Sequence, residues 1–219
     1  MNTATSNQRG TNHSSRGKVS EYRCLEQLPP EFDAYRVCTL RERDIQSVRV
    51  WRNAQIDVLR QAAPISALEQ ERYYADVVRP GFRLSRPNLI LLSLLRRGSC
   101  IGYTGLMNID WPAGRAEISF LLDPDRVDDP SIYRRDFSAC LKLLSYTAFE
   151  ILGFQRLFAE TFDVRPLHVD ILEAEGYVLE GRLRNHARVE GHLVDSLLHG
   201  LLGQDWRAGP CSRDSTDRG

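Results

Sequence analysis

The chain lacks an excess of either charge. Its 219 residues include 29 Lys and Arg and 29 Asp and Glu, so the formal net charge is +0. A surface without a dominant sign does not attract nucleic acid or an anionic membrane over a distance. We therefore expect no nucleic-acid partner and no membrane partner, although a local basic patch for a small anionic ligand remains compatible with this balance.

Cysteine is scarce and scattered. The 5 cysteines lie at positions 24, 38, 100, 140 and 211, without a CxxC pair and without a histidine cluster beside them. An odd, scattered set predicts neither a disulfide framework nor a zinc site. We expect reduced thiols and no bound metal.

Long apolar runs are missing too. The run LILLSLL at 89–95 is closed by Arg96 and Arg97, whereas a membrane helix needs about 20 apolar residues. The opening MNTATSNQRG lacks the apolar centre of a signal peptide. These features predict a cytoplasmic protein.

Apolar side chains are sparse at both ends. Residues 1–33 are rich in Ser, Thr, Asn, Arg and Gly, and the chain closes with RAGPCSRDSTDRG. Such segments bury too little apolar surface to offset the entropy that ordering costs. We predict disordered tails at 1–33 and 205–219 around one folded domain at 34–204.

The first half of this domain contains alternating and helical patterns. Alternation at 35–39 predicts a strand that leads into a helix, and Ser66 with Glu69 forms a capping box for a second helix at 66–78. Three further strands are predicted at 88–95, 100–108 and 116–122.

The second half begins with a long helix. Asp129 is suited to the N-cap and Pro130 to the first turn, and the apolar period of 3.6 residues ends at Gly153. A strand at 154–162, a short helix at 166–175 and a hairpin that turns at Glu190 and Gly191 follow. The predicted fold class is α/β (α+β), a mixed, mostly antiparallel sheet flanked by helices.

Several motifs in this order resemble the GNAT family of N-acetyltransferases. They are IGYTGL at 101–106, RAEISF at 115–120, AETF at 159–162, EAEGYVLEG at 173–181 and LRNH at 183–186. WRN at 51–53 with PIS at 64–66 is similar to the entry segment of amino-sugar acetyltransferases. The resemblance covers about 35–203 and points to the branch that acetylates ribosomal-protein N-termini, polyamines and amino sugars.

The resemblance implies acetyl-CoA as co-substrate and a gap between two strands that admits its pantetheine arm. One strand contains Ile118, Ser119, Phe120 and Leu121, whose main-chain groups would bind the arm, and the other lies at 157–162. An amide near Ser119–Leu121 would stabilise the negative charge on the reacting carbonyl oxygen.

The phosphate-binding segment departs from the family pattern. Arg135 and Phe137 occupy positions where the family has small residues, and Tyr133 and Arg134 precede them. Arginines at a helix N-terminus oppose the helix dipole, so a bound diphosphate would explain them. The alternative is a protein that has lost or weakened its cofactor. A second departure lies at the start of the short helix, where the family often has Asn and Ser and this chain has Arg165 and His168. Arg165 is either a phosphate ligand or a solvated surface residue.

Candidate catalytic residues are carboxylates. An amine nucleophile must lose a proton, and Glu117 stands where relatives often keep the base, with Glu160 as the competing candidate. The position at which many relatives have an acidic tyrosine is Leu172 here. Cys100 and Cys140 have no paired histidine nearby and are poor nucleophile candidates.

Candidate acceptor-binding residues are Arg52, Asn53, Asn108 and His186, with Arg60 and Trp111 as further candidates. The sequence thus predicts an N-acetyltransferase that acts on a primary amine, either an amino sugar nucleotide or a protein N-terminus, by direct attack in a ternary complex. The alternative is a non-catalytic binding module with this fold. A homodimer formed through exposed strands stays open.

Overall fold

A seven-stranded sheet forms the centre of the protein, with strand order β1-β2-β3-β4-β5-β7-β6. The structure is a computed structural model that describes residues 21–59 and 61–209. The strands are β1 (Tyr35–Thr39), β2 (Ile90–Arg96), β3 (Ser99–Asp110), β4 (Arg115–Leu122), β5 (Arg156–Phe162), β6 (Val178–Val189) and β7 (His192–Leu202). The fold class predicted from the sequence is confirmed.

Six α-helices accompany the sheet in the described part of the chain. They are α1 (Ile45–Ala54), α2 (Ala67–Tyr73), α3 (Arg79–Gly81), α4 (Pro130–Tyr146), α5 (Pro166–Ala174) and α6 (Gly203–Ala208). Short 3-10 turns lie at Glu42–Asp44, Ile56–Val58 and Pro124–Arg126, and π-helical turns extend α2 through Tyr74–Val78 and α4 through Thr147–Ile151. None of the helices in the described residues is long and apolar enough to span a membrane.

Local sequence signals account for the helix ends. The Ser66 side chain accepts from the Glu69 amide, and the Glu69 carboxylate accepts from the Ser66 amide, which is the predicted capping box. At α4, one carboxylate oxygen of Asp129 accepts from the amides of Ser131 and Ile132. These caps satisfy amides that have no partner inside a helix.

The central feature of the sheet is the junction of β4 and β5. All other neighbouring strands are antiparallel, whereas β4 and β5 are parallel and pair only from Arg115↔Arg156 to Glu117↔Phe158. Beyond that pair the two strands diverge, which leaves the rest of β4 without a ladder to β5. The gap implied by the family resemblance is therefore present.

The two faces of the sheet are covered by different helices. Thr104 of β3 contacts Cys140 of α4 through a 3.0 Å hydrogen bond, which places α4 on one face. The neighbouring Tyr103 points to the other face because side chains alternate along a strand, and its hydroxyl accepts a 2.8 Å hydrogen bond from Arg52 of α1. The gap between β4 and β5 therefore connects an α4–α5 side with an α1–α2 side.

The described part of the predicted N-terminal tail is ordered, which corrects the boundary at 33. Tyr22, Leu25 and Leu28 are buried in the core, and the Tyr22 hydroxyl accepts a 2.9 Å hydrogen bond from the Leu91 amide. Three well-placed apolar side chains are enough to anchor a segment that is otherwise polar. Residues 1–20 lie outside the described residues.

The predicted C-terminal tail also begins too early. Helix α6 includes residues 205–208, and the Trp206 ring packs 5.5 Å from the Phe149 ring. Arg207 adds a 2.8 Å hydrogen bond to the Phe149 carbonyl. Residues 210–219, including Cys211, lie outside the described residues.

Candidate active site

The gap between β4 and β5 opens into a cavity of about 240 Å³. Its lining comes from both strands and from the helices on the two faces: Arg52, Val58, Leu59, Tyr103, Met107, Asn108, Glu117, Ile118, Ser119, Phe120, Phe137, Ala159, Glu160, Thr161, Phe162, Arg165 and His168. About half of the residues that the sequence placed in the site are thus brought together. Of the candidate pantetheine contacts, Ile118, Ser119 and Phe120 line the cavity, whereas Leu121 does not.

A buried carboxylate marks the point at which the strands separate. Glu117 is only 7% exposed, and its Oε2 accepts a 2.6 Å hydrogen bond from the side-chain amide of Asn108. Asn108 lies at the irregularity between Met107 and Asp110 of β3 and has a φ of 47°. This left-handed conformation, which Asn tolerates better than most residues, turns the amide toward Glu117.

A second carboxylate lies on the same face of the sheet. Glu117 pairs with Phe158, so Glu160, two residues further along β5, points to the same side as Glu117. The ring of His186 lies 3.7 Å from the Glu160 carboxylate. Both candidate bases therefore face the α1–α2 side of the gap, and His186 contacts the second of them without lining the cavity itself.

The opposite side of the gap is lined by aromatic rings. Phe120 stacks on Phe137 at 4.3 Å, and Phe137 stacks on His168 at 4.2 Å. Thr161, which also faces this side, has a buried Oγ1 without a hydrogen-bond partner in the described structure. This side therefore offers an apolar wall and one unused hydroxyl.

Arg165, Tyr133 and His168 form a hydrogen-bonded chain beside these rings. Arg165 donates to the Tyr133 hydroxyl at 2.7 Å, and that hydroxyl lies 2.7 Å from His168 Nδ1. Burial raises the pKa of Tyr133 and lowers the pKa of His168 well below its usual value. The Tyr133 oxygen accepts from Arg165, so its own proton is available to Nδ1 of His168.

The N-terminus of α4 does not offer free amides. The Asp129 carboxylate accepts from the first of them, and Tyr133 is buried, so neither the amides nor this ring is aimed at a ligand. Arg135 donates to the Tyr35 hydroxyl at 3.2 Å, on the β1 side of α4. Arg134 is exposed and does not line the gap.

A buried ionic cluster anchors the same end of α4. Asp136 is fully buried and accepts from the Tyr35 hydroxyl at 2.5 Å and from two nitrogens of Arg126 at 2.6 and 3.1 Å. Arg126 lies in the turn Pro124–Arg126, which precedes α4. Because its guanidinium is paired with the buried Asp136, it stabilises the fold and does not bind a ligand. Among the arginines near α4 and α5, Arg165 alone lines the cavity.

Acceptor candidates separate into those at the site and those that stabilise the fold. Arg52 and Asn108 line the cavity. The Asn53 side chain instead bonds both main-chain groups of Ile65 at 2.8 Å. Trp111 donates to the Pro87 carbonyl at 2.8 Å, and Arg60 lies outside the described residues.

A second cavity of about 430 Å³ adjoins the first on the α1–α2 side. The two cavities share Arg52, Tyr103 and Met107. Tyr103, Met107 and Thr161 line the cavity but were not predicted from the sequence, although alternation along β3 and β5 puts the first two opposite β4 and the third in the gap. A consistent use of that period, once the strand pairing was assumed, would have found them.

The described cysteines do not supply a nucleophile. Cys24, Cys38, Cys100 and Cys140 are free. Burial raises the pKa of the Cys100 thiol to about 11 and that of Cys140 to about 12. Within the described residues, no group of three or more His, Cys, Asp or Glu side chains is arranged to hold a metal ion.

The separated strands, with a buried carboxylate where they part, match what the family resemblance implies for an N-acetyltransferase, and comparison with known proteins agrees. The family model described as an acetyltransferase (GNAT) domain matches residues 37–198. A relative from Bacillus licheniformis, named as the uncharacterized N-acetyltransferase p20, is 22% identical over 174 residues, which is 77% of this chain and 94% of the relative.

Solved structures share the fold. The spermidine N-acetyltransferase of Vibrio cholerae in complex with CoA and spermine has a TM-score of 0.67 at 16% identity, covering 80% of this chain and 99% of its own. A probable acetyltransferase has a TM-score of 0.65 at 20% identity, covering 80% and 96%. The chain belongs to the GNAT acetyltransferase family, whose enzymes use acetyl-CoA as the acetyl donor.

Proposed function

We propose that this enzyme transfers the acetyl group of acetyl-CoA directly to a primary amine, with Glu117 as the base. The observation that supports this proposal is the position of Glu117, whose buried carboxylate lines the cavity at the last pair of the β4–β5 ladder. The amine approaches from the α1–α2 side, where both carboxylates point. The donor approaches along the gap.

The gap fits the pantetheine arm of the donor. Main-chain groups of Ile118–Leu122 on the β5 side have no ladder partner there, and the buried Thr161 hydroxyl supplies a further hydrogen-bonding group. Unpaired main-chain groups at a strand edge bind an extended amide chain well, because each new bond satisfies an otherwise unpaired group. Acetyl-CoA supplies the acetyl group there as a thioester.

The usual amide cradle for the diphosphate does not fit, because Asp129 already occupies the amides of α4. We assign this role to guanidinium groups instead. Arg165 lines the gap, and its hydrogen bond to Tyr133 uses one nitrogen, so further N–H donors remain for a phosphate. Arg134 is a second, exposed cation near the start of α4, whereas Arg135 donates to the Tyr35 hydroxyl.

Glu117 removes a proton from the ammonium form of the acceptor, directly or through water. The neutral nitrogen then forms a bond to the acetyl carbon while the carbon–sulfur bond breaks, and the departing sulfur takes up a second proton from the nitrogen or from solvent. Main-chain amides near Ser119–Leu121 stabilise the charge that develops on the carbonyl oxygen. Asn108 holds the Glu117 carboxylate in place through its 2.6 Å hydrogen bond.

The acceptor classes indicated by the sequence are an amino sugar nucleotide and a protein N-terminus. The polyamine complex of a structural neighbour adds a third class. Each of them presents a primary amine, which is the group that Glu117 would deprotonate. The side chains that line the second cavity distinguish among these acceptors.

Acetyl-CoA binding and thiol release test this function. Glu117→Gln should lower kcat by about 10²- to 10⁴-fold, the usual contribution of a general base, while Glu160→Gln, the matched control on the same face, should retain most activity. Arg165→Ala should weaken acetyl-CoA binding by about tenfold, whereas Arg188→Ala on the distant hairpin should not. A chain that does not bind acetyl-CoA at millimolar concentration would support the binding-module alternative.

A further inference from the structure

The residues that line the second cavity indicate which class of acceptor the enzyme uses, provided that the proposed function is correct. We propose that the acceptor is an α-amino acid with an apolar side chain. Its amino group lies at Glu117, its carboxylate at Arg52, and its side chain in the second cavity. The three groups of such a molecule radiate from one carbon, which matches a site in which two cavities meet at one arginine.

The second cavity is suited to an apolar group. Its volume of about 430 Å³ lies within the range of about 300–1,000 Å³ that is typical of small-molecule sites. Most of its lining is aliphatic or aromatic, including Leu40, Val48, Ile65, Tyr73, Leu91 and Met107. An apolar side chain that enters it leaves water for apolar contacts, which is favourable.

Arg52 is oriented by neutral groups. Its Nε donates to Gln61 at 2.9 Å and its Nη1 to the Tyr103 hydroxyl at 2.8 Å. A guanidinium has five N–H donors, so about three remain for a ligand. Among the described residues no carboxylate forms an ion pair with Arg52, and a planar carboxylate would supply both the missing charge and the matching geometry.

The positions of Arg52 and Glu117 limit the distance between the acceptor's charges. Both side chains line the first cavity of about 240 Å³, which also has to admit the thioester. An acceptor that contacts both residues within this cavity has its amine and its anionic group a short distance apart, as an α-amino acid does. Arg52 also lines the second cavity. An acceptor whose carboxylate binds Arg52 can therefore extend its apolar side chain into that cavity.

A polyamine is a poor match for the same site. The second cavity holds one carboxylate, Glu69, and that group is engaged by the Ser66 amide at 2.7 Å in the capping box of α2. A second ammonium group placed here would meet the Arg52 charge and apolar side chains. An amino sugar nucleotide would bury hydroxyl groups against the same apolar wall, at a cost for each unpaired group.

A matched acceptor series tests the proposal. Thiol release is measured with L-phenylalanine, with phenethylamine, which lacks only the carboxylate, and with spermidine and glucosamine. We expect kcat/KM for phenylalanine to exceed that for each of the others by about tenfold or more, the value of a charge-assisted hydrogen bond. A preference for spermidine or glucosamine would overturn the inference and leave the proposed acetyl transfer standing.

Two variants test the assigned subsites. Arg52→Gln should lower kcat/KM for phenylalanine by about tenfold or more and leave that for phenethylamine within about threefold. Ala63→Trp, at the second cavity, should lower use of phenylalanine but not of glycine, whereas Ala62→Trp, its exposed neighbour outside the lining, should change neither. Equal loss with all acceptors would contradict the assignment.

Binding gives a readout that does not depend on turnover. Calorimetry with N-acetyl-L-phenylalanine should show saturable binding that Arg52→Gln weakens by about tenfold. Absence of this binding in a protein that still binds acetyl-CoA would overturn the inference alone. Absence of acetyl-CoA binding together with absence of thiol release from every amine would overturn the proposed function as well.

Discussion

The side-chain amide of Asn108 donates a 2.6 Å hydrogen bond to the carboxylate of Glu117, at the irregularity in the pairing of β3 with β4. The two residues are 9 positions apart, and the bond depends on the left-handed backbone of Asn108, with a φ of 47°. A locally strained conformation thus orients the buried carboxylate that lines the gap. Strain of this kind persists where the surrounding structure determines it, often at functional sites.

Replacing Asn108 should show whether it orients the Glu117 carboxylate or only stabilises the fold. Asn108→Gly keeps the left-handed backbone accessible but removes the amide, so we expect kcat to fall by about tenfold, the value of one hydrogen bond to a charged group. The urea midpoint should stay close to that of the unchanged protein. Asn108→Gln, which retains an amide, should recover part of the activity; full activity in the glycine variant would contradict a positioning role.

The ionic cluster at the start of α4 should dominate the stability of that helix. Asp136 is fully buried and is held by Arg126 and Tyr35. Because Asp136→Ala leaves the Arg126 charge without its partner, we expect a loss of about 3–5 kcal/mol in the free energy of unfolding. Urea denaturation measures this loss. Asp125→Ala in the adjacent turn should change stability by less than about 0.5 kcal/mol, and equal effects would refute the assignment.

Acid should weaken the fold through His168. Burial lowers the pKa of His168 well below its usual value of 6.5. Just below pH 6.5, this residue is therefore protonated in the unfolded chain but not in the folded chain. The contribution is fully present above pH 6.5 and declines as pH falls below it, by about 1.4 kcal/mol per pH unit until the folded group titrates. Urea midpoints measured from pH 7.5 to 5.0 test this. His168→Gln should show a shallower decline, and an unchanged slope would argue against it.

The buried Cys140 thiol and the partly buried Cys100 thiol should be unreactive in the folded protein. Burial raises the pKa of Cys140 to about 12 and that of Cys100 to about 11, so neither is a thiolate at neutral pH. Iodoacetamide at pH 7.5 should label these positions only after addition of urea, as read by peptide mass spectrometry. Cys140→Ala should keep thiol release, since no covalent enzyme intermediate is needed. Rapid labelling of Cys140 in the folded enzyme would oppose this view.

Local signals carried most of the fold prediction. Asp129 with Pro130, the capping box of Ser66 and Glu69, and the turn at Glu190 and Gly191 act within a few residues, and each lies where it was expected. Such signals depend on main-chain hydrogen bonding near the residue itself, so they can be read without knowing the tertiary structure. The gap between β4 and β5 followed from family resemblance and not from local signals.

Contacts between distant segments were beyond a single sequence. The Tyr35–Asp136 bond spans 101 positions and the Arg52–Tyr103 bond spans 51, and neither leaves a periodic trace. Asn53 illustrates the same limit, because a polar side chain that braces a loop looks like one that binds a substrate. The second cavity arises from the packing of α1 and α2 over β3, so its apolar character became apparent only with the register of the strands.

The position of Tyr22 sets a limit on how far this enzyme can be shortened. The family match begins at residue 37, yet Tyr22, Leu25 and Leu28 cover one part of the core. A version trimmed to the matched residues would expose that part of the core to water and leave the Leu91 amide without the Tyr22 hydroxyl. Shortened enzyme intended for crystals or assays should therefore begin upstream of Tyr22.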